Sequence, residues 1–310
     1  MTAEITAAEA DLANRFPHEP FATRHNLAGH PLFSLPALAR LAKTLPRDRV
    51  EYNAGDLEPG VKPEDVPTLD MSAEEVVRRI EQCNAWMVLK RVEVEPAYRA
   101  LLEEVLTGVA QKLGHRSLEE AGFYDIQGFV FVASANATTP FHVDPEENFF
   151  VQIHGPKFFH IFDNRDRSFL TDEELEMSPS KHRNKRYDPS YEAKAQVFSL
   201  QPGDGLFVPH LWPHWVRTGD SYSVSMAITW KSPRAERLNT LLRANGLLRK
   251  YGFPQPAPGV NPVMDGVKIA AYRALRTAVE PLRRTEGMRR FLRGLVFGRQ
   301  ANYYYREKKA

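Results

Sequence analysis

The middle of the chain limits the fold most strongly, because it consists of short β-like segments separated by glycine and proline. Six such runs, rich in β-branched and aromatic residues, lie between Tyr124 and Trp230, at 128–134, 149–153, 157–162, 196–200, 205–208 and 223–230. Many short strands joined by turns predict a closed all-β unit of the jelly-roll kind. Because helical patterns flank this unit, the sequence predicts a mainly β fold with helical flanks, in the α+β class.

Three regions are predicted around this unit: an N-terminal α/β extension at 1–120 packed on the core, the barrel core at 121–233, and a basic helical segment at 234–310. Ser72, followed by Glu74 and Glu75, predicts a helix that ends near Asn84. Apolar residues recur at helical spacing at 35–45, 95–113, 235–251, from about 267 to a break at Pro281, and at 288–297.

A charged insertion at residues 163–195 interrupts the predicted strands. It contains a short helical pattern at 172–177 and a basic cluster that includes Lys181, His182 and Arg183. Loops of this length within a compact domain are usually functional lids or mobile segments. Our hypothesis is that the insertion closes over a bound substrate.

The C-terminal segment differs electrostatically from the rest of the chain. Residues 234–310 hold 17 Lys and Arg against 5 Asp and Glu, a net charge of +12, so residues 1–233 carry −10 of the overall +2. The apolar face of its helices can pack on the barrel or join two copies of the chain as a homodimer. Its surplus charge suits an acidic partner or an anionic membrane surface, while nucleic acid is not favoured because no recognised binding motif is present.

Cysteine content and the N-terminal sequence bear on the cellular compartment. Cys83 is the single cysteine, which excludes an internal disulfide and a cysteine-based zinc finger. The first 16 residues include three acidic residues and no continuous apolar core, unlike a secretory or transit peptide. No apolar run approaches the roughly 20 residues of a membrane span. We expect a cytoplasmic protein.

His142 and Asp144 are the first candidates for chemistry. They are two residues apart, so on one β-strand their side chains project from the same face and can share a metal ion. A turn and strand at 202–209 lead to His214, which can supply a third ligand from a facing strand. Two histidines and one carboxylate leave coordination positions open, as in non-haem Fe(II) oxygenases. Taken singly, each residue is better explained as an ordinary polar or packed side chain.

Two longer motifs surround these candidates. The first runs Thr139-Pro140-Phe141-His142-Val143-Asp144-Pro145 and continues to Lys157, and the second is Val208-Pro209-His210-Leu211-Trp212-Pro213-His214. Both resemble the JmjC and cupin-like Fe(II)- and 2-oxoglutarate-dependent oxygenases, especially asparaginyl hydroxylases of the factor-inhibiting-hypoxia-inducible-factor type, over roughly residues 125–231. The resemblance implies a double-stranded β-helix core and hydroxylation coupled to 2-oxoglutarate decarboxylation.

The resemblance also implies a set of binding residues for Fe(2+), 2-oxoglutarate and O2. The implied iron ligands are His142, Asp144 and His214, and the residues implied around 2-oxoglutarate are Lys157, Thr139 and Asn148. Lys157 has an independent physical rationale, because a dicarboxylate held by iron at one end needs a fixed cation at the other. Ile228 stands where the asparaginyl hydroxylases carry an asparagine, so co-substrate contacts from that strand are not expected.

Two other functions fit the same residues. A cupin metalloenzyme that does not use 2-oxoglutarate has no need of Lys157, and a non-catalytic ligand-binding or regulatory cupin protein need not retain the three ligands. The leading hypothesis is therefore a 2-oxoglutarate-dependent dioxygenase. Its prime substrate can be a protein side chain or a small molecule, because the fold and an iron site do not determine it.

Overall fold

In the computed structural model, which describes residues 2–62, 65–178 and 185–297, strands dominate the first three quarters of the chain and helices the last quarter. The strands are β1 (Ile5–Thr6), β2 (Phe21–His25), β3 (Val50–Ala54), β4 (Ala85–Lys90), β5 (Tyr124–Ala133), β6 (Thr138–His142), β7 (Glu147–His154), β8 (Lys157–Ile161), β9 (Gln196–Leu200), β10 (Asp204–Val208), β11 (His214–Thr218) and β12 (Ser223–Lys231). The helices are α1 (Glu9–Asn14), α2 (Leu35–Thr44), α3 (Ala73–Arg78), α4 (Pro96–Lys112), α5 (Asp172–Met177), α6 (Pro233–Lys250), α7 (Pro262–Val279) and α8 (Glu286–Phe297).

Two antiparallel sheets form the barrel. The larger sheet has the strand order β1-β2-β10-β7-β12-β5-β4-β3, and the smaller has the order β6-β11-β8-β9. An apolar cluster contains side chains of both sheets: Phe150, Leu206 and Ala227 from the larger, and Phe159, Ile161 and Val216 from the smaller. The predicted mainly β fold with helical flanks is confirmed.

Strand β12 of the larger sheet is buried on both faces. Along β12, Val224, Met226 and Ile228 join a second apolar core that also includes residues of α2, α3 and α4. The intervening Ala227 belongs to the cluster between the sheets, and because successive side chains alternate along a strand, Ser225 faces the same interior. The alternation therefore separates a packing face from a face that lines the barrel.

The N-terminal region takes part in the larger sheet. The predicted extension at 1–120 contributes β1 to β4, of which β2 pairs with β10 and β4 pairs with β5. The boundary predicted at 120/121 lies inside one compact unit, which comprises Met1–His142, Glu146–Asp163 and Asn184–Ser232.

Helix boundaries differ from the predicted ones at two places. Helix α3 ends at Arg78, not near Asn84, and the carbonyl of Ile80 accepts a hydrogen bond from Ser134 Oγ at 2.5 Å. The carbonyl of Ile80 therefore bonds to the residue that follows β5, and not to the backbone of a continuing helix. Helix α7 begins at Pro262, ahead of the predicted start near 267, because Asn261 caps it by accepting a hydrogen bond from the backbone N–H of Met264.

A second compact unit consists of Val143–Pro145, Asn164–Arg183 and Pro233–Ala310. Within it, Arg249 of α6 donates hydrogen bonds of 2.7 and 2.9 Å to the carboxylate of Glu176 on α5. The predicted insertion is thus divided between the two units at residue 183. Lys181, His182 and Arg183 of that insertion, and residues 298–310 of the predicted basic segment, lie outside the described residues. Of the helices described, none is long and apolar enough to cross a membrane.

Candidate metal centre and buried lysine

Paired strands bring the two candidate histidines together. His142, the last residue of β6, is the register partner of His214, the first residue of β11, and their ring centroids are 4.1 Å apart. With Asp144, they form a group in which one ligand atom from each residue lies within 4.8 Å of the other two. This spacing suits three ligands of one metal ion.

The local structure around these residues differs from the predicted one. Strand β6 ends at His142, so Asp144 lies beyond the strand and does not share a strand face with His142. His214 begins a strand of its own and does not end the strand that starts at Asp204. Pro209 and Pro213, which lie between β10 and β11, have no N–H to donate to a strand partner, which accounts for the second break.

Backbone carbonyls orient both imidazole rings. The Nδ1 atom of His142 lies 2.7 Å from the carbonyl oxygen of Pro140, and Nδ1 of His214 lies 2.9 Å from that of Trp212. A carbonyl oxygen only accepts hydrogen bonds, so each Nδ1 carries the proton and donates. Each ring is then left with Nε2 as the nitrogen that can coordinate a metal, the usual arrangement of metal-binding histidines.

Lys157 is buried in the same barrel, with 4% of its surface exposed. Its Nζ donates a hydrogen bond of 2.6 Å to Ser225 Oγ and lies 5.3 Å from the ring centroid of Phe150 and 5.9 Å from that of Phe131. Burial lowers the pKa of Lys157 from its ordinary value to about 7. Within the described residues the ammonium group has no carboxylate partner, so an anionic ligand would compensate its charge.

Strand pairing places Lys157 and His214 on adjacent strands of the smaller sheet. Lys157 pairs with Thr218 on β11, and four residues further along β8, Ile161 pairs with His214. The two positions are therefore about 13 Å apart along the strands. The turn before Lys157 depends on Gly155, whose φ of 69° favours glycine and whose added Cβ would collide with the carbonyl oxygen of Tyr222.

The structure places the other two candidates on different sheets. Thr139 pairs with Val216 on β11, and its Oγ1 accepts a hydrogen bond of 2.8 Å from Trp86 Nε1. Asn148 is buried on β7, and its Oδ1 has no hydrogen-bond partner among the described residues. A buried amide oxygen without a donor is costly unless a ligand or water satisfies it. Asn148 is therefore suited to contact a bound molecule.

Sequence reasoning missed Ser225 as the partner of Lys157. Ile228, which stands where the asparaginyl hydroxylases carry an asparagine, belongs to the second apolar core, on the packing face of β12. Three residues earlier on the same strand, Ser225 contacts Lys157. The alternation of serine with apolar residues at 223–226 was a usable signal, because polar residues at every second position indicate a strand face distinct from the fully apolar packing face.

A second missed residue, Glu192, anchors the segment 185–194 to the smaller sheet. Its carboxylate accepts hydrogen bonds from Tyr187 Oη, from Trp215 Nε1 at 2.7 Å and from His160 Nδ1 at 2.9 Å. Burial opposes ionisation of Glu192, but these three hydrogen bonds hold its pKa below the ordinary value. Because Trp215 directly follows His214, this anchor borders a strand that bears a candidate ligand.

These residues fit both an iron ion and a dicarboxylate. Two neutral imidazoles and a carboxylate are a donor set that binds Fe(II). A buried, uncompensated ammonium and an unsatisfied amide oxygen line the interior of the same barrel. The fit rests on complementary chemistry at two positions, metal ligands at one and a cation at the other.

Comparisons with known proteins agree with this fold. HSPB1-associated protein 1 of Rattus norvegicus is 28% identical over 139 residues, 42% of this chain and 29% of its own length. Lysine-specific demethylase 8 of Xenopus tropicalis is 32% identical over 119 residues, 35% of this chain and 26% of its own length. The chain thus spans less than a third of these curated relatives.

A solved structure and a family model extend the likeness. E. coli YcfD superposes with a TM-score of 0.52 at 14% identity, covering 94% of this chain and 72% of that chain, which supports a shared fold. The family model of the cupin-like domain matches residues 41–236, more than half of the chain. The resemblance to JmjC and cupin-like proteins is therefore confirmed, and the chain belongs to the cupin-like domain family.

Proposed function

We propose that the protein is an Fe(II)- and 2-oxoglutarate-dependent oxygenase that couples decarboxylation of 2-oxoglutarate to hydroxylation of a C–H bond. His142, Asp144 and His214 are the proposed iron ligands. The observation that carries the proposal is the buried ammonium of Lys157, in the barrel that also holds the two histidines. A metal group alone suits many reactions, whereas a metal group with a buried cation suits a dicarboxylic co-substrate.

The residues of this chain perform binding and orientation. The carbonyls of Pro140 and Trp212 hold the two imidazoles in the tautomer that presents Nε2. Lys157, kept in place by Ser225, binds the far carboxylate of the co-substrate, and the rings of Phe131 and Phe150 exclude water around that charge pair. When bound, iron and 2-oxoglutarate supply the oxidising chemistry.

Anaerobically purified protein should release succinate from 2-oxoglutarate when Fe(II), ascorbate and oxygen are added, slowly without a prime substrate. His142→Ala should abolish succinate release because iron binding is lost. Lys157→Ala should abolish it by weakening 2-oxoglutarate binding about 100-fold or more, which titration calorimetry of the Fe(II)-loaded protein measures directly. Lys43→Ala is the matched control, because Lys43 lies on α2 and contacts Glu74 at the surface.

The outcomes separate the alternatives. Metal binding without 2-oxoglutarate binding would reject the proposal in favour of a cupin metalloenzyme with another co-substrate. Binding of neither would reject it in favour of a non-catalytic cupin protein. Loss of succinate release in Lys43→Ala as well would show that the assay reports general damage to the protein.

A further inference from the structure

The helical unit carries most of the large apolar side chains that the described residues expose to solvent. Nine of the thirteen lie between residues 251 and 291: Tyr251, Phe253, Val260, Val263, Met264, Val267, Leu275, Met288 and Phe291. Single exposed apolar residues are normal on any surface, but a concentration of them in one short segment indicates an interaction site.

Helix α7 presents its apolar residues outward. Its buried residues are Asp265 and Ile269, and beside them the Lys268 ammonium donates a hydrogen bond of 3.0 Å to Asn245 Oδ1. The residues on the opposite side are all Val, Met, Leu or Ala and are all exposed: 263, 264, 267, 270, 271, 274, 275 and 278.

These eight residues form one uninterrupted strip. At about 100° per residue they occupy a continuous arc of about 140° that contains no charged or polar residue. Val263 and Val267, one turn apart, are 79% and 57% exposed. An ordinary surface helix turns its apolar stripe toward the core, so α7 has the orientation of a helix whose apolar face meets something outside its own unit.

The charge of residues 234–310 indicates what kind of surface contacts the apolar strip of α7. Arg273 and Arg276 are exposed on the remaining arc of α7, and Arg284 is exposed just after it. Residues 234–310 carry a net charge of +12. A second copy docked face to face through α7 would bring two such segments together and would be repelled. An anionic surface complements them.

We propose that α7 is a docking surface for an anionic lipid bilayer. The helix lies in the plane of the bilayer, with the strip around Val263 and Val267 among the headgroups and upper acyl chains. Arg273, on the side of α7 nearer to the strip, attracts anionic headgroups, and Arg276, on the far side of the helix, adds only to the overall positive charge of the segment. Basic amphipathic helices bind bilayers in this way, and the affinity depends on both the apolar area and the charge.

Co-sedimentation of the full chain with lipid vesicles tests this proposal. Binding should be strong to vesicles of phosphatidylcholine mixed with phosphatidylglycerol, weak to phosphatidylcholine alone, and reduced by added salt. The double variant Val263→Glu with Val267→Glu should lose binding. The double variant Arg273→Gln with Arg276→Gln should bind the mixed vesicles about fivefold more weakly, chiefly through Arg273, because Arg276 lies on the side of α7 away from the strip.

Val197→Glu is the matched control, because Val197 is a similarly exposed valine on β9 of the barrel unit. It should bind the mixed vesicles like the wild type. All four positions changed in the double variants are exposed, so unchanged thermal unfolding is expected and shows that the variants are folded.

Three results would overturn the proposal. One is equal binding to neutral and anionic vesicles, and another is unchanged binding by either double variant. The third comes from sedimentation velocity without lipid: if the wild type is a dimer and the Val263→Glu and Val267→Glu variant is a monomer, the strip is an interface between two copies of the chain.

Discussion

Two cations in different regions of the molecule, one buried and one partly buried, have opposite surroundings. In the barrel, the Lys157 ammonium has one serine hydroxyl and two aromatic rings around it, and burial lowers its pKa to about 7. In the helical unit, hydrogen bonds to the Glu176 carboxylate raise the pKa of Arg249, which also donates to the carbonyl of Gln255 at 3.0 Å. A cation paired with a buried carboxylate belongs to the architecture, whereas a buried, uncompensated cation indicates a ligand site.

The largest effect should come from breaking the paired cation. Replacing Arg249 by methionine leaves the carboxylate of Glu176, which is 2% exposed, buried without its partner. Arg249→Met should lower the free energy of unfolding by about 3 kcal/mol, measured by urea denaturation. The double variant Arg249→Met with Glu176→Leu should recover most of the loss. If the single variant is as stable as the wild type, the pair is not structural.

Replacing the uncompensated cation, Lys157, should change the free energy of unfolding in the opposite direction. Lys157→Met removes a buried charge and keeps most of the volume, so in the absence of ligand it should raise the free energy of unfolding by about 2 kcal/mol at about pH 6. The same urea denaturation measures it. A loss of stability in Lys157→Met would mean that the ammonium already has full compensation in the folded protein.

The stability of the wild type should also depend on pH through Lys157. The pKa is about 7 in the folded state and 10.5 as its ordinary value, so between these pH values the unfolded chain binds more protons. Wild-type stability should therefore rise with pH across this window, and the advantage of Lys157→Met should shrink. Denaturation of both proteins across the window measures the difference, and a constant difference would contradict the buried, proton-losing lysine.

The smallest effect concerns the hydrogen bond from Lys157 to Ser225. Ser225→Ala removes the acceptor that holds the ammonium, and 2-oxoglutarate should then bind about fivefold more weakly in calorimetry of the Fe(II)-loaded protein, or about 1 kcal/mol. Ser190→Ala, at an exposed serine, is the matched control. Equal affinity in both variants would show that Ser225 does not position Lys157.

Strands β5, β7, β8, β9, β10 and β12 could be predicted because each contains a run rich in β-branched and aromatic residues, whereas β6 and β11 were not among the predicted runs. The pairing of β2 with β10 could not be predicted. Phe21 and Phe207 are register partners separated by most of the chain, and a five-residue strand contains no information about its partner. Local periodicity predicts that a segment is a strand, while its place in the sheet depends on packing between distant residues.

The candidate site, too, could be predicted from the sequence only in part. Spacing was enough to single out His142, Asp144 and His214, because ligand chemistry requires these residue types. The assumption that His142 and Asp144 share a strand was wrong, since the chain leaves the sheet at His142. Ser225 and Glu192 were not found, because each acts through a partner, Lys157 or Trp215, that only the three-dimensional arrangement brings near.

The pairing of β2 with β10 also means that the sequence family and the folding unit have different limits. The family match begins at residue 41, after β2. A chain trimmed to residues 41–236 would leave the backbone amides and carbonyls of β10 open along one side and would uncover Phe207, which stacks on Phe21 with centroids 5.0 Å apart. Open strand edges pair with other chains, so a protein produced from those limits would be prone to aggregation even with every proposed iron ligand present.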